Sequence, residues 1–539
     1  MSARRRIIGF AAAVAGVALS IAPAAAANSA AAQESRPAVQ QPASLAWKAC
    51  GEAANVTCTT FRVPRDYERP RGLTFQLHVA RSPATDPAHR IGVLFVNPGG
   101  PGAAIADSVE ALGADLFPGL NARFDIIAMD PRGVGQSTPA IDCKVNQETD
   151  GIYSQPFTTP GNLDVFALTS KDVRYAARCV ALNRDVLRAV STANVARDMD
   201  ELRRSLHERQ ITYVGFSYGT LLGATYASLF PSGYRAMVLD GPVDADAYIN
   251  DPMRNLSAQS AGFEQALGRF LQACARDQVA CSGFGGNDPW AAYDALLSRL
   301  DAAPTRVPGG RAVDGDDARA GTLLALYNKA FWPFLGHALA ALDAGDGRAM
   351  RSVADAFYGR YPDGSYAPGA DAYYTIGALE QRYPRDAGTY LRAGMSSWAE
   401  HEHFWWNNGY TELAYGLYPV RPDAVFAGPF RIAPSSPTPL VVATTYDPAT
   451  PYRGALSLVR DLGNARLLTM RGDGHTAYGL GTSCIDRAVE SYVDSGALPP
   501  PGASCTQDVA FGAARANASK AGAAQGPAAP HVRPGPARR

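Results

Sequence analysis

The chain has 539 residues, which is enough for a large buried core and for more than one structural unit. Its 50 basic and 50 acidic residues give a formal net charge of +0, so the composition provides no general attraction to nucleic acid or to an anionic membrane. We therefore expect a neutral or locally charged ligand and no nucleic-acid partner.

The first residues are typical of an export signal. Arginines at 4–6 precede an apolar run over 7–22, and small residues follow at 24–27. The pattern predicts a signal peptide over 1–27, used by the Sec or the twin-arginine route of a bacterium, and a disordered leader over 28–45. Because the apolar run is too short to span a bilayer, we expect a secreted protein without stable membrane insertion.

Eight cysteines in an exported chain favour disulfides over metal or redox roles. Neighbouring cysteines along the chain are close enough to close short loops. The predicted pairs are Cys50 with Cys58, Cys143 with Cys179, Cys274 with Cys281, and Cys484 with Cys505.

Apolar runs predict a sheet in the first half of the chain. The alternating segments 59–63 and 73–80 predict antiparallel edge strands. The continuous apolar run at 91–96 predicts a strand buried on both faces, as in a parallel sheet, and the mostly apolar segments 124–129 and 236–240 predict further strands of that sheet.

The strand at 91–96 ends in Asn97-Pro-Gly-Gly-Pro-Gly102. Its glycines and prolines fix an irregular backbone that no side chain crowds, so main-chain N–H groups can point into a cavity. In an acyl-transfer enzyme such donors bind the oxyanion of the tetrahedral intermediate. Taken alone, the segment is more typical of a plain loop.

The segment 211–230 predicts a buried strand, a sharp turn and a helix, with Ser217 on the turn. An amphipathic helix with apolar residues from Val195 to Leu206 precedes it. Gly215 and Gly219 flank the serine. Because a nucleophile elbow holds its serine in a strained backbone conformation, it needs small residues at both positions. The pattern predicts a nucleophile whose Oγ projects above the sheet; an ordinary turn between glycines is the alternative.

From 244 to 423 the pattern changes to long helical segments rich in aromatic residues. We interpret 244–423 as a helical cap inserted into an α/β core whose first part is 46–243. A cap over the carboxyl ends of the strands would enclose a pocket. The predicted cap helices are 262–274, 290–300, 320–342 and 348–358, followed by a stretch rich in Tyr and Trp over 372–418.

The second part of the core is predicted over 424–508. Buried strands at 439–444 and 465–470 enclose a helix at 452–462, so the parallel sheet resumes after the insertion. Residues 509–539 are rich in Ala, Gly, Pro and Arg and predict a disordered tail.

A serine hydroxyl is a poor nucleophile unless a base takes its proton. Among the eight histidines, His475 alone follows a core strand, in a glycine-rich turn that can reach over the sheet. His401-Glu402-His403 invites comparison with a metal site, but histidines two apart lie on different helix faces and no third ligand is obvious. We interpret that segment as cap surface and expect no metal.

The base also needs a carboxylate to hold its tautomer. Asp447 directly follows a buried strand and gives the chain order Ser, Asp, His of an α/β-hydrolase. Asp240, at the end of another strand, is the competing candidate. Asp473 lies in the same turn as His475, where we expect it to shape the loop.

Together these features resemble the α/β-hydrolase fold, and more narrowly the secreted tripeptidyl aminopeptidase branch of the prolyl aminopeptidase-like serine peptidases. The resemblance covers nearly the whole mature chain. It rests on Asn97-Pro-Gly-Gly-Pro-Gly102, Asp130-Pro-Arg-Gly-Val-Gly-Gln-Ser137, Gly215-Phe-Ser-Tyr-Gly219, Leu239-Asp-Gly-Pro-Val-Asp244, Asp447-Pro-Ala-Thr-Pro451 and Gly474-His475. It implies an α/β fold with a mostly parallel sheet and an inserted, mainly helical cap.

The resemblance also implies roles for particular residues. Ser217 would be the nucleophile, Asp447 the orienting acid and His475 the base, while the N–H groups of Gly100 and Tyr218 would bind the oxyanion. The implied activity is release of short peptides, such as tripeptides, from a free N-terminus through an acyl-enzyme. We expect no cofactor and a monomeric enzyme.

An exopeptidase must also bind the substrate's α-ammonium, which calls for a buried carboxylate in the cap, since an unpaired buried cation is costly. Members of this branch often show an Ala-Ile-x-Cys-x-Asp-like pattern there. Thr375-Ile-Gly-Ala-Leu-Glu380 matches it in part, with Ala378 in place of the Cys. Glu380 is therefore the first candidate and Glu402 the second, with a solvated helix residue as the alternative for Glu380.

Two other functions compete with the peptidase. A secreted carboxylesterase or lipase-like enzyme would bind an apolar acyl group in the cap, and the aromatic run Phe404-Trp-Trp406 is compatible with it. A binding protein on an inactive hydrolase scaffold is the third interpretation, against which the complete set of Ser, Asp and His speaks.

Overall fold

The computed structural model describes residues 45–147, 149–151, 159–408, 411–509 and 511. The predicted signal peptide, nearly all of the predicted leader and nearly all of the predicted tail lie outside the described residues. Among the helices in the described ranges, none is long and apolar enough to cross a bilayer.

A ten-stranded sheet runs through the described chain. Its strands are β1 (Lys48–Ala49), β2 (Thr57–Pro64), β3 (Thr74–Ser82), β4 (Gly92–Asn97), β5 (Phe124–Met129), β6 (Ile211–Phe216), β7 (Tyr234–Asp240), β8 (Leu440–Tyr446), β9 (Arg466–Asp473) and β10 (Ser504–Thr506). Their order in the sheet is β1-β2-β3-β5-β4-β6-β7-β8-β9-β10. Strand β1 pairs antiparallel with β2, β2 with β3, and β3 with β5. Every other neighbouring pair, from β5–β4 across the sheet to β9–β10, is parallel. The sheet is mostly parallel, as predicted.

The predicted strands are present, but the sheet edges differ from the prediction. The segments 59–63 and 73–80 lie in β2 and β3, yet β1 pairs with the outer side of β2 and forms that edge. At the other edge, β10 pairs with β9. Both edge strands are too short to show an alternating pattern in the sequence.

Helices cover both faces of the sheet. Those in the described residues are α1 (Ala106–Leu112), α2 (Pro118–Asn121), α3 (Val165–Leu187), α4 (Thr192–Ser205), α5 (Tyr218–Leu229), α6 (Ala245–Asn250), α7 (Pro252–Arg276), α8 (Pro289–Ala302), α9 (Gly315–Leu326), α10 (Trp332–Asp343), α11 (Arg348–Tyr358), α12 (Gly369–Glu380), α13 (Ala387–Glu400), α14 (Leu413–Gly416), α15 (Tyr452–Leu462) and α16 (Ser483–Ser495). Short 3₁₀ helices lie at Pro87–His89, Gly113–Asp115, Pro160–Asn162, Lys329–Phe331 and Trp405–Asn408.

Alternate residues of the central strands face two apolar layers. Leu94 and Val96 pack with residues of α1, α2 and α16, whereas Val93 and Phe95 join the layer that contains α3, α4, α5 and the helices after β7. Because both faces are covered, the central strands are mostly apolar on both faces. The loops at their carboxyl ends are left to form a site.

Helices α6 to α14 lie between β7 and β8 in the chain, in the region interpreted as the cap. One helix predicted there, 320–342, is divided into α9 and α10. Pro333 lies in the first turn of α10, where its missing N–H is tolerated. A single helix through 320–342 would place Pro333 in its interior, where its ring would clash with the preceding turn. Asn328 accepts a hydrogen bond from the Ala330 N–H at 2.9 Å and caps the short turn between the two helices.

The four predicted disulfides are confirmed. The structure joins Cys50 to Cys58, Cys143 to Cys179, Cys274 to Cys281 and Cys484 to Cys505, with Cα–Cα distances of 5.7, 4.5, 5.3 and 5.8 Å. Disulfides of this kind are compatible with an exported protein.

Candidate active site

Ser217 occupies the sharp turn between β6 and α5. Its backbone has φ 56° and ψ −125°, a strained conformation for a residue with a side chain. A Cβ on Gly215 would lie 2.5 Å from the Gly219 carbonyl oxygen, and a Cβ on Gly219 would lie 2.7 Å from the Asn97 carbonyl oxygen. The turn therefore needs glycine at both flanking positions, as the sequence pattern predicts.

The glycine-rich loop after β4 lies against this turn. The Asn97 side chain accepts a hydrogen bond from the Gly99 N–H at 3.1 Å, and a Cβ on Gly99 would lie 2.8 Å from Cβ of Ser217. Gly100 has φ +103° and lines the same cavity as Ser217. Tyr218 is the first residue of α5, where a main-chain N–H has no partner within the helix. A Cβ on Gly99 would also lie 3.1 Å from the Tyr218 nitrogen, so the loop that carries Gly100 runs next to the start of α5.

His475 lies in the loop after β9 and contacts Asp447, which follows β8. Nδ1 of His475 is 2.9 Å from each carboxylate oxygen of Asp447. The carboxylate also accepts hydrogen bonds from the N–H groups of Ala449 at 3.0 Å and Thr450 at 2.8 Å, which fix its orientation. Nε2 of His475 is buried, without a hydrogen-bond partner among the described residues, and the ring lines the cavity together with Ser217.

The competing acid Asp240 has a different environment. It is buried and accepts main-chain N–H bonds from Ala477 at 3.0 Å and Tyr478 at 2.8 Å. Burial raises the pKa of Asp240 to about 7, although these two hydrogen bonds oppose the shift. Asp240 therefore holds the turn that follows His475, while Asp447 contacts the imidazole itself.

The cavity lies between these loops and the helices that follow β7. Its lining includes Ser217, His475, Gly100, Phe216, Asn255, Gln259 and Gln381, and the tyrosines 248, 327, 373, 383 and 415. Glu412 is the single carboxylate among the described residues that line it. The chamber is thus aromatic, with one acidic group.

Glu412 was not singled out by the sequence. It is buried at the start of α14, close to the lining tyrosines. Burial, followed by the charge of Glu412, raises the pKa of Tyr373 to about 12. The same carboxylate adds to the raised pKa values of Tyr383 and Tyr415. The available signal was an acid three residues before a tyrosine, inside the aromatic stretch 372–418.

Neither predicted ammonium ligand belongs to the described lining of the cavity. Glu380 is buried at the end of α12, where it accepts hydrogen bonds from the N–H of Thr192 at 2.9 Å and from its hydroxyl at 2.5 Å. The same hydroxyl is hydrogen-bonded to the hydroxyl of Tyr218. Burial raises the pKa of Glu380 to about 7. The side chain of Glu402 is 56% exposed.

His403 is buried, which corrects its interpretation as cap surface, whereas its neighbour Glu402 is exposed. Its Nδ1 is 2.6 Å from a carboxylate oxygen of Glu264, and its Nε2 is 2.8 Å from one of Asp294. Burial lowers the pKa of His403, but the hydrogen bonds and charges of the two acids outweigh it, and the net pKa is raised. Ligand atoms of Asp294, Glu402 and His403 lie close enough together to bind a metal ion. Both ring nitrogens of His403 are hydrogen-bonded to carboxylates, however, and a protonated imidazole explains these contacts without a metal.

The aromatic run Phe404-Trp-Trp406 is also buried. Phe404 packs against Phe263 with ring centroids 5.5 Å apart, and Trp405 packs edge-on against Trp398 at 6.0 Å. None of the three residues is part of the described cavity lining. The run stabilises the helices after β7 and supplies no wall for an acyl group.

Residues 92–482 match the family model described as the alpha/beta hydrolase fold. The chain belongs to this family, and it is a serine hydrolase. It is 33% identical over 464 residues to serine protease Hip1 of Mycobacterium tuberculosis, covering 83% of this chain and 87% of that protein.

Two further relatives have a similar span. Carboxylesterase B of M. tuberculosis is 34% identical over 470 residues, covering 85% of this chain and 89% of the relative. Tripeptidyl aminopeptidase of Streptomyces coelicolor is 29% identical over 484 residues, covering 86% of both. These names support the assignment to α/β-hydrolase serine peptidases and leave a choice between peptide and ester substrates.

Proposed function

We propose that the protein is an exported serine aminopeptidase that releases short peptides, such as tripeptides, from free N-termini. The observation that carries the proposal is that one cavity is lined by Ser217, His475 and Glu412. This arrangement suits a peptide substrate. The nucleophile and the base would act on its scissile carbonyl, and the carboxylate would pair with its positively charged N-terminus. The export signal predicted from the sequence and the four disulfides support an oxidising compartment.

In the proposed reaction, Nε2 of His475 takes the proton of the Ser217 hydroxyl as Oγ attacks the scissile carbonyl. Asp447, hydrogen-bonded to Nδ1, keeps the imidazole in the required tautomer and stabilises its cation. The N–H groups of Gly100 and Tyr218 bind the oxyanion, helped by the positive end of α5.

The tetrahedral intermediate collapses when His475 gives its proton to the leaving amine, and the N-terminal fragment stays on Ser217 as an ester. Water, deprotonated by the same imidazole, then attacks the ester and releases that fragment with a new carboxyl terminus. The N–H groups of Gly100 and Tyr218 would bind the oxyanion in both tetrahedral intermediates, that of acylation and that of deacylation.

Recognition of the free N-terminus is assigned to Glu412. Glu412 is the carboxylate among the described lining residues, so a substrate α-ammonium that enters the cavity finds an opposite charge there. The rings of Tyr373, Tyr383 and Tyr415 would add cation–π attraction. Acetylation of the substrate removes the charge and adds bulk at the same point.

The proposal is tested with a panel of tripeptidyl anilides, the same compounds N-acetylated, and p-nitrophenyl esters. Acetylation removes the ammonium from its pair with Glu412. Loss of one member of a buried charge pair costs about 2–5 kcal/mol, and tenfold corresponds to about 1.4 kcal/mol, so kcat/KM should fall by roughly thirtyfold or more. Equal kcat/KM values for free and acetylated peptides would refute the aminopeptidase.

Carboxylesterase activity on apolar esters is the second candidate, favoured by the relative named Carboxylesterase B at 34% identity. It needs an apolar acyl pocket, and the buried Phe404-Trp-Trp406 run does not provide one. Apolar esters hydrolysed with a higher kcat/KM than every free tripeptidyl anilide would favour this function.

A further inference from the structure

The loop that carries His475 is attached to the inserted helices by an ion cluster. Asp473, the last residue of β9, is buried and accepts hydrogen bonds from Nε of Arg269 on α7 and from Nζ of Lys329, the latter at 2.9 Å. We call these three residues the Arg269–Asp473–Lys329 cluster. The backbone of Asp473 is itself fixed, because Gln507 accepts from its N–H at 3.0 Å and donates to its carbonyl at 2.8 Å. Asp473 is therefore a rigid point to which two cations of the inserted region are bound.

A second contact joins the same region to His475 directly. The N–H of His475 donates to the carbonyl of Tyr327 at 2.7 Å, and the two rings meet edge-on with centroids 5.3 Å apart. Gly474 lies between Asp473 and His475, and a Cβ there would come within 3.0 Å of the Tyr327 carbonyl oxygen. The segment Tyr327–Lys329 thus packs closely along the backbone on both sides of Gly474.

Arg269 also touches the segment that carries Asp447. Its guanidinium lies over the ring of Tyr446 at 3.6 Å from the centroid. Tyr446 immediately precedes Asp447, and it pairs with Asp473 between β8 and β9. One side chain of α7 therefore contacts the ends of both strands from which the acid and the imidazole extend.

We propose that the Arg269–Asp473–Lys329 cluster positions His475 and Asp447 for catalysis, so that the inserted helices serve the chemical step as well as enclosing the cavity. The inference rests on the proposed role of His475 as base. Asp473 is a positioning residue: it lies outside the described cavity lining and acts through the loop. Buried ion pairs contribute little net stability but fix geometry, which suits this role.

The geometry explains why position matters here. His475 must keep Nδ1 on Asp447 while Nε2 faces Ser217. Gly474, with φ +102°, separates the fixed Asp473 from His475, so the backbone of His475 can pivot there unless the segment Tyr327–Lys329 holds it. A displacement of the base by about 1 Å costs on the order of a hundredfold in rate. Without the cluster, the segment Tyr327–Lys329 loses its attachment to Asp473, and a shift of the Tyr327 carbonyl would displace His475 from one of its two contacts.

The test is Asp473→Asn, assayed with a free tripeptidyl anilide and with a fluorophosphonate, which reports the reactivity of Ser217 without peptide recognition. We expect kcat and the labelling rate constant both to fall about 10- to 100-fold. KM should stay within about twofold, because the cavity lining is unchanged. A contribution to folding alone would lower the melting temperature without this pattern.

A double-mutant cycle separates positioning from general damage. Arg269→Gln should lower kcat in the native background and add little to Asp473→Asn, because both remove the same interaction. Lys329→Met should behave likewise, and Lys329→Arg should retain most activity. Arg254→Gln is the matched control: it is on the same helix, its side chain is 56% exposed and its ion pairs are with Asp244 and Asp251, so kcat should not change.

The inference is overturned if Asp473→Asn lowers the melting temperature but leaves kcat and labelling unchanged, if only KM rises, or if the cycle is additive. Should Asp473→Asn not fold, the Arg269→Gln and Lys329→Met variants test the same interaction from the other side of the cluster, and unchanged kcat in both would overturn the inference. Failure of the proposed nucleophile is a separate result, since Ser217→Ala would then still be labelled.

Discussion

Replacing Glu412 with Gln is the sharpest test of how the cavity selects its substrates. The substitution keeps the size of the side chain and removes its charge. Because Glu412 is buried among tyrosines, its attraction for an ammonium would be screened little by solvent. Loss of one partner of such a pair costs about 2–5 kcal/mol, which corresponds to roughly a thirtyfold to several-thousandfold fall in kcat/KM.

The assay compares a tripeptidyl anilide with its N-acetylated form in both enzymes. We expect Glu412→Gln to lower kcat/KM for the free peptide, chiefly through KM if the ammonium is bound equally in ground and transition states. The acetylated peptide should change by less than about threefold, since it has no charge to lose. The preference for a free N-terminus should then nearly disappear.

Glu402→Gln is the matched control, because this carboxylate belongs to the same region but is 56% exposed. It should leave both substrates unaffected. Equal losses on free and acetylated peptides in Glu412→Gln would show that the residue supports the cavity without recognising charge. An unchanged preference would place the ammonium at another group and refute the reasoning.

Three further results are expected. Asp447→Asn should lower kcat by about 10⁴ with little change in KM for a tripeptidyl anilide, because the imidazole loses its tautomer partner; a loss below tenfold would contradict this role. Burial raises the pKa of Glu380 from 4.5 to about 7, so stability present below pH 4.5 is lost as pH rises through 7. Glu380→Gln should reduce that loss by about 3 kcal/mol in urea unfolding at pH 5 and 8, and an unchanged pH dependence would contradict the shift. Gly219→Ala, with its Cβ 2.7 Å from the Asn97 carbonyl oxygen, should lower the melting temperature and slow fluorophosphonate labelling at least tenfold; native behaviour would contradict the close approach.

The sheet could be predicted because the physical signals are local. Strands buried on both faces, such as β4, β5 and β6, appear as mostly apolar segments of six residues, and the glycines around Ser217 mark the turn. The disulfides were also predictable, since cysteines close in sequence form each pair. By contrast, β1 and β10 are too short to carry a pattern.

The residues after β7 were harder to interpret because their contacts are between distant parts of the chain. Glu380 is hydrogen-bonded to Thr192, 188 positions away in the sequence, and His403 is hydrogen-bonded to Glu264, 139 positions away. The local sequence does not show that Glu380 accepts a hydrogen bond from the first residue of α4, whereas Glu412 lines the cavity. The role of each carboxylate depends on how far it is buried and on which group it contacts. Both are set by the packing of these helices.

The central claim is that Ser217 is the nucleophile, and the most direct measurement is labelling with a fluorophosphonate followed by peptide mass mapping. We expect one adduct, on the peptide that contains Ser217, and none in Ser217→Ala at the same concentration and time. An adduct on another serine, or undiminished labelling of Ser217→Ala, would contradict it.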